Sequence, residues 1–300
     1  SSTSRVGSPR ITPRLVLVVM LVLPFTFAAA TAHATLTFVR HGQSVWNAEG
    51  RFTGWTDVPL TALGREEAAA GGSALREHGA TFDIVFTSEL SRAIDTAHIL
   101  LEHSGQQSDV PVHRHWRLNE RHYGMLTGQL KADAVAEHGA AQVKLWRHAY
   151  SIPPPRVAES HPLHPRHDKK YAHVPAHELP CGECLHQTLE RCRPFFESHI
   201  APELRRGRNV LVAAHGHVIR ALIKELEQLS DDEVSHVSVP NGVPLVYKVD
   251  EALRPIAPLD HTGGSAAARG RYSCLGEWLD FCNASSTHVI VNSRPKVPDR

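Results

Sequence analysis

Excess charge is the first thing this sequence lacks: across 300 residues Lys and Arg number 32 and Asp and Glu 31, a formal net charge of +1 at pH 7. A chain so near neutrality has no overall positive field, which excludes non-specific nucleic-acid binding and requires any anionic ligand to be met by locally placed cations. Long apolar runs are scarce too. The run Leu15 to Ala30 is sixteen residues broken by Pro24, short of the roughly 20 that a spanning helix needs. Cysteine is sparse at five: Cys181, Cys184, Cys192, Cys274 and Cys282. Cys181-Gly182-Glu183-Cys184 has CxxC spacing, with His177 and His186 close in sequence, but a second CxxC or HxxxH half is missing, so free thiols are the simpler reading and no metal is assigned. There is no internal repeat. The 42% of hydrophobic residues suffices for a packed core and excludes both disorder and a collagen-like chain. The length fits one catalytic domain with terminal extensions.

Three segments follow from texture. Residues 1–34 carry Arg5, Arg10 and Arg14, no acidic residue, and the small-x-small sequence Ala32-His33-Ala34. They read either as a secretory or organelle-targeting segment or as sequence upstream of a start at Met20 or later. If the first reading holds, the sequon Asn283-Ala284-Ser285 becomes relevant. Residues 35–254 alternate strands and helices. Short apolar runs at Leu36 to Val39, Phe82 to Thr87 and Asn209 to Ala214 each lead into a helical stretch, and strand signals return at Val243 to Val249. Repeated strand-then-helix units predict an α/β fold, a mostly parallel sheet with helices on both faces and a ligand crevice beyond the carboxyl ends of the strands. Between Gln142 and Pro180 the Pro- and His-rich texture predicts a long surface excursion of the lid or binding-loop kind. Residues 255–300 show little periodicity and are expected to form a loosely ordered tail.

Chemistry concentrates at the strand ends. Arg40-His41-Gly42 follows the first strand. A neutral imidazole is a nucleophile near pH 7, the adjacent guanidinium grips phosphate oxygens in a fork, and Gly42 allows close backbone approach. Arg92, just inside the helix after the second strand, supplies another guanidinium, and His215 at the end of the third can donate to a transferring phosphoryl oxygen. Two His and two Arg converging on one anion suit phosphoryl transfer, which needs positioning and charge compensation without necessarily requiring a metal. Glu120 is the candidate acid/base, its pKa expected to rise beside a bound anion.

The run Phe38-Val39-Arg40-His41-Gly42-Gln43-Ser44-Val45-Trp46-Asn47, followed by Arg51 to Asp57, resembles the cofactor-dependent phosphoglycerate mutases of the histidine phosphatase superfamily. So do Arg117 to Gly124, Ile152 to Pro155, Val210 to Gly216 and Gly242 to Tyr247, in that family's order and spacing from Thr35 to Arg254. Several long motifs in register are far more specific than one. The resemblance implies His41 as the phosphorylated nucleophile, Glu120 as proton donor and acceptor, and His215 as the second catalytic His. Arg40, Asn47, Arg92 and Gly216 would hold the phosphoryl group. Thr53, Gly54, Arg121, His122, Tyr123, Lys131, Arg147, His148 and His217 would complete the site for the carboxylate and second phosphate. It further implies priming by 2,3-bisphosphoglycerate, interconversion of 3-phosphoglycerate and 2-phosphoglycerate, a homodimer or homotetramer, and a cytoplasmic setting that stands against the targeting reading.

Four positions depart from the family pattern: Gln43 replaces Glu, His148 a second Arg after Arg147, His217 an Asn after His-Gly, and Gly182-Glu183-Cys184 a Thr-Glu-Ser. These bear on ligand affinity and on the balance of mutase against phosphatase activity. A phosphatase on the same fold and a catalytically weak binding or scaffold relative therefore stand as alternatives.

Overall fold

The computed structural model describes residues 33–106, 110–256 and 277–278. Its strands are β1 (Ala34–Arg40), β2 (Ile84–Thr87), β3 (Val112–Arg114), β4 (Val210–Ala214), β5 (Pro244–Val249) and β6 (Glu277–Trp278). The helices are α1 (Val45–Ala48), α2 (Ala62–Glu77), α3 (Ser91–Ser104), α4 (Lys131–His138), α5 (Ala140–His148), α6 (Leu185–Phe195), α7 (Ala201–Arg205), α8 (Gly216–Glu227) and α9 (Asp231–His236). One sheet runs in the order β3-β2-β4-β1-β5-β6. β1, β2, β3 and β4 pair in parallel, whereas β5 runs antiparallel to β1 and β6 antiparallel to β5.

β4 shows why the sheet is covered twice. All five of its residues are buried, and period-2 alternation sends them to opposite faces. Val210, Val212 and Ala214 join Leu36 and Phe38 against Cys192 and Phe195 of α6 and Val218, Ile219 and Leu222 of α8. Leu211 and Ala213 join Val39 and Val85 against Ala74 and Leu75 of α2 and Ala97, Leu100 and Leu101 of α3. The sequence therefore builds a three-layer sandwich, and its parallel strands all end on one edge.

That edge is shaped by a close backbone approach. A Cβ on Gly42 would lie 1.9 Å from the Gly64 carbonyl oxygen, and one on Gly64 would lie 2.1 Å from the Gln43 carbonyl oxygen. The loop after β1 thus rests directly on the first turn of α2, whose N-cap Thr61 accepts from the Gly64 N–H at 3.0 Å. The excursion after α5 is irregular chain with short 3-10 turns at Pro165–His167, Lys169–Tyr171 and Ala176–Glu178. It is pinned by an aromatic cluster of its own, with Tyr171, Val174 and Leu179 packed on Trp55 and Trp116. The apolar run Leu15 to Ala30 and the sequon at Asn283 lie outside the described residues, as does the expected tail apart from residues 255–256 and 277–278. No helix among the described residues is long and apolar enough to cross a membrane.

Candidate active site

Register brings the key residues together. Arg40 pairs with Ala214 across β1 and β4, so the next residues, His41 and His215, leave the sheet side by side. The His41 N–H donates to the Ala214 carbonyl at 3.0 Å, and the two imidazole centroids are 5.0 Å apart. His41 Nδ1 lies 2.7 Å from the Gly42 carbonyl. A carbonyl only accepts, so Nδ1 carries the hydrogen and Nε2 keeps its lone pair. Burial, then Arg92 and Arg40, hold the His41 pKa well below its usual value, so the ring is neutral and nucleophilic at pH 7.

His215 caps α8 from the front and is fully buried. Its Nε2 is 2.8 Å from Ser88 Oγ, while its Nδ1 is buried without a partner. Arg92 is anchored by donating to the carbonyls of Thr56 at 2.9 Å and Gly54 at 2.8 Å. Arg40 donates to Val239 O at 2.9 Å. Each guanidinium keeps a buried, unpartnered Nε, and burial lowers both pKa values, that of Arg92 to about 10. Gly216 begins α8 beside Arg40, where a Cβ would make ordinary van der Waals contact with Arg40 Nε at 3.5 Å. Helix amides opening on a cavity favour an anion there.

Arg40, His41, Arg92 and Gly216 line one cavity together with Asn47, Thr53, Gly54, Glu120, Tyr123, Lys131, Arg147, His148 and His217, with the buried ring of His215 beside His41. Asn47 accepts from the Ser44 N–H through Oδ1 at 3.2 Å, which leaves its amide hydrogens for a ligand. Thr53 Oγ1 is buried without a partner. Lys131 has its pKa lowered by burial and by Arg147 and Arg40. So many like charges around one hollow are the local cation placement that the near-zero net charge demanded.

Glu120 is held as a carboxylate by its protein neighbours. Burial pushes its carboxyl up, but hydrogen bonds from the His217 side chain and the Arg121 N–H outweigh burial and hold it well below the usual range. Oε1 accepts from the N–H groups of Arg121 at 2.8 Å and His217 at 3.2 Å, with His217 Nδ1 3.3 Å away. A carboxylate with two amide donors stays ionised, so the site presents a base.

Two expected ligand residues do not reach the cavity wall. Arg121 is fully buried and spends its guanidinium on the last carbonyls of α5, Trp146 O at 2.9 Å and Arg147 O at 3.3 Å. It holds Arg147 and His148 in place from behind. His122 is turned inward against Trp55, its Nδ1 accepting from the Gly124 N–H at 3.0 Å. Among the departures, Gln43 points away from the cavity, its Oε1 accepting from Thr61 Oγ1 at 3.0 Å, whereas His148 and His217 form part of the wall. Cys184 N-caps α6, with its N–H donating to Gln187 Oε1 at 3.0 Å. The described residues hold no cluster of three or more His, Cys, Asp or Glu arranged for a metal. Sequence reading missed Ser88 and Arg220. Helical spacing could have found Arg220, four residues after Gly216 on α8.

The chain belongs to the histidine phosphatase superfamily (branch 1), whose family model matches residues 36–252. Among relatives it is similar to the 2,3-bisphosphoglycerate-dependent phosphoglycerate mutase of Nitratidesulfovibrio vulgaris strain DP4, with 47% identity over 246 residues that cover 79% of this chain and 98% of that protein. The same enzyme from strain Hildenborough is 46% identical over the same shares. Among solved structures, a mycobacterial glucosyl-3-phosphoglycerate phosphatase in complex with VO3 superposes with a TM-score of 0.56 at 27% identity, covering 72% of this chain and 92% of that one.

Proposed function

We propose that this protein is a phosphoglycerate mutase that interconverts 3-phosphoglycerate and 2-phosphoglycerate through a phosphohistidine at His41, primed by 2,3-bisphosphoglycerate. The observation that carries it is the tautomer of His41. Its Nδ1–H is committed to the Gly42 carbonyl, so Nε2 is the free nucleophile, beside guanidinium groups with unpartnered donors. The relatives of nearly equal length that bear this activity support the choice of substrate.

When bound, 2,3-bisphosphoglycerate supplies the phosphoryl group that loads His41. The unpartnered Nε groups of Arg40 and Arg92 and the His215 Nδ1 suit a dianionic phosphoryl group. For transfer to a monophosphate, Glu120 takes the proton of the attacking hydroxyl as its oxygen bonds to phosphorus and the P–N bond to His41 breaks. In the return step His41 Nε2 attacks the other phosphorus, the P–O bond breaks, and Glu120 returns the proton to the departing oxygen. An anion beside Glu120 lifts its pKa, which suits the donor half of that cycle.

The catalytic unit we assign is residues 35–254. We assign it a cytoplasmic setting, a homodimeric or homotetrameric state and no nucleic-acid partner, the last supported by the net charge of +1. Sedimentation velocity tests the assembly. Conversion of 3-phosphoglycerate by the purified chain, with and without 2,3-bisphosphoglycerate, tests the activity, following both 2-phosphoglycerate and free phosphate. Production of 2-phosphoglycerate that depends on the bisphosphate is expected, and His41→Ala should abolish it together with the acid-labile phosphoenzyme. Release of free phosphate alone would make the protein a phosphatase instead.

A further inference from the structure

The two oxygens of Glu120 are held unequally. Oε1 accepts from the backbone N–H groups of Arg121 at 2.8 Å and His217 at 3.2 Å, and His217 Nδ1 lies 3.3 Å from the same oxygen. Oε2 accepts from none of the described residues, yet it is not sealed off as a buried unpartnered atom. It is the open corner of a carboxylate that lines the cavity. His217 stands where the family pattern has Asn, so its ring is a feature of this chain.

Which nitrogen carries the imidazole hydrogen follows from the surroundings. Burial, then Arg121, bring the pKa of His217 to about 3, so the ring is neutral at pH 7. Its charged neighbours besides Glu120 are Arg121 and Arg220, which only donate, and the Tyr123 hydroxyl stands 3.5 Å from Nδ1. A lone pair on Nδ1 would face the lone pairs of a carboxylate oxygen, whereas a hydrogen there completes a charge-assisted bond. Nδ1 therefore carries the hydrogen. One carboxylate oxygen offers about two lone-pair sites, so donors from Arg121 and from the backbone and ring of His217 fill Oε1. An incoming proton is left with Oε2.

We propose that His217 is a positioning residue for Glu120: its Nδ1–H anchors Oε1 and leaves Oε2 as the oxygen that exchanges the proton with the ligand hydroxyl. As the ligand oxygen bonds to phosphorus and the P–N bond to His41 breaks, the hydroxyl proton passes to Oε2, while Nδ1 keeps its own hydrogen. This rests on the proposed mutase reading for the task of Glu120, and on the tautomer for the contact itself.

Nitrogen NMR of the labelled full chain at pH 7, with His217→Asn to assign the signal, reads the tautomer directly, and an Nδ1-protonated His217 is expected. The pH profile of kcat, which reports the ligand-bound state, gives the second measurement. The other groups facing Glu120 are Arg40 from β1 and Arg92 from α3, both charged throughout, and His215, neutral at pH 7. A limb that moves with residue 217 is therefore the carboxyl's own. Losing one donor to a carboxylate favours its protonated form, so His217→Ala should raise the acid limb by about one pH unit. It should also lower kcat roughly tenfold with KM changed less than about threefold. His217→Asn, which restores an N–H, should fall between wild type and His217→Ala on both counts. An Nε2-protonated ring, an acid limb unmoved in a folded His217→Ala, or a raised KM with kcat kept would each overturn the proposal. Where His217→Ala lowers Tm, the wild-type tautomer and the His217→Asn profile decide it. Failure of the mutase reading shows separately, as absent 2-phosphoglycerate in the wild-type reaction, because the tautomer is read on the resting chain.

Discussion

Glu183 and Arg191 form an ion pair with Nε–Oε1 at 2.6 Å and Nη2–Oε2 at 3.0 Å, each side chain only 5% exposed. Around it the loop that carries Glu120 is fastened. Arg191 donates to the carbonyls of Arg117 at 2.7 Å and Glu120 at 3.3 Å, and Glu183 accepts from the His122 N–H at 2.8 Å. The pair thus fixes the backbone on both sides of the candidate base without touching the cavity.

Breaking one half of such a pair leaves the other charge buried, at a cost of about 3–5 kcal/mol. Glu183→Gln should lower the unfolding free energy by that measure, read as a lower urea midpoint. Arg191→Lys keeps the charge but cannot reach both carbonyls. It should lower kcat roughly tenfold with little change in KM, because Glu120 acts on protons in the transition state. An unaltered kcat in Arg191→Lys would show that the loop is held by other contacts.

Ser88 is expected to set the tautomer of His215. Its Oγ accepts from the Leu90 N–H at 3.2 Å and lies 2.8 Å from His215 Nε2. With its own hydrogen given to Nε2, the imidazole proton sits on Nδ1, the atom left unpartnered. Ser88→Ala should lose about 1–2 kcal/mol of this positioning, a roughly tenfold fall in kcat. Nitrogen NMR of labelled His215 provides the direct check: an Nε2-protonated ring in the wild type would sink the assignment.

Gly64→Ala sets two effects of opposite sign against each other. Within α2, Ala is favoured over Gly by about 1 kcal/mol. Against that, its Cβ would meet the Gln43 carbonyl oxygen at 2.1 Å, and a backbone atom cannot swing aside as a side chain does. Overpacking of this kind costs about 1–3 kcal/mol or more, so net destabilisation is expected, with loss of activity as the loop holding His41 is displaced. A higher urea midpoint for Gly64→Ala would refute the close approach.

The parallel strands and their His and Arg ends were legible because a doubly buried strand writes itself as an apolar run, and β1, β2 and β4 each do so. Antiparallel β5 was legible as a strand but not in direction, since alternation is the same read either way. Arg40, His41, Glu120 and His215 could be read from chemistry beside strand ends. Arg121 and His122 could not be sorted from Glu120 and Tyr123, because all four stand in one short run and only the Trp146 carbonyl and the Trp55 ring hold two of them inward. Ser88 and Arg220 stayed hidden for a related reason: a serine and a helical arginine acquire meaning only from what they face.

Acid should destabilise this fold earlier than its carboxylates alone would require. Burial brings the pKa values of His115, His122 and His148 to about 4 and that of His217 to about 3, against 6.5 for an unperturbed histidine. His41 and His215 are lowered too. The unfolded chain therefore binds more protons than the native one below pH 6.5, and stability rises with pH wherever that holds. Their contribution is complete above about pH 6.5, falls as the pH drops toward 4, and levels off once the folded groups also titrate. Glu120 acts in the same direction, but its loss comes at lower pH because its carboxyl is held well below the usual range. Urea unfolding between pH 7.5 and 4.5 should show stability declining steadily, and His122→Asn, whose side-chain oxygen can replace Nδ1 as acceptor for the Gly124 N–H, should make that slope shallower by one proton. A flat profile across the interval would mean that these histidines are protonated in the folded state, and would remove the neutral His41 on which nucleophilic attack depends.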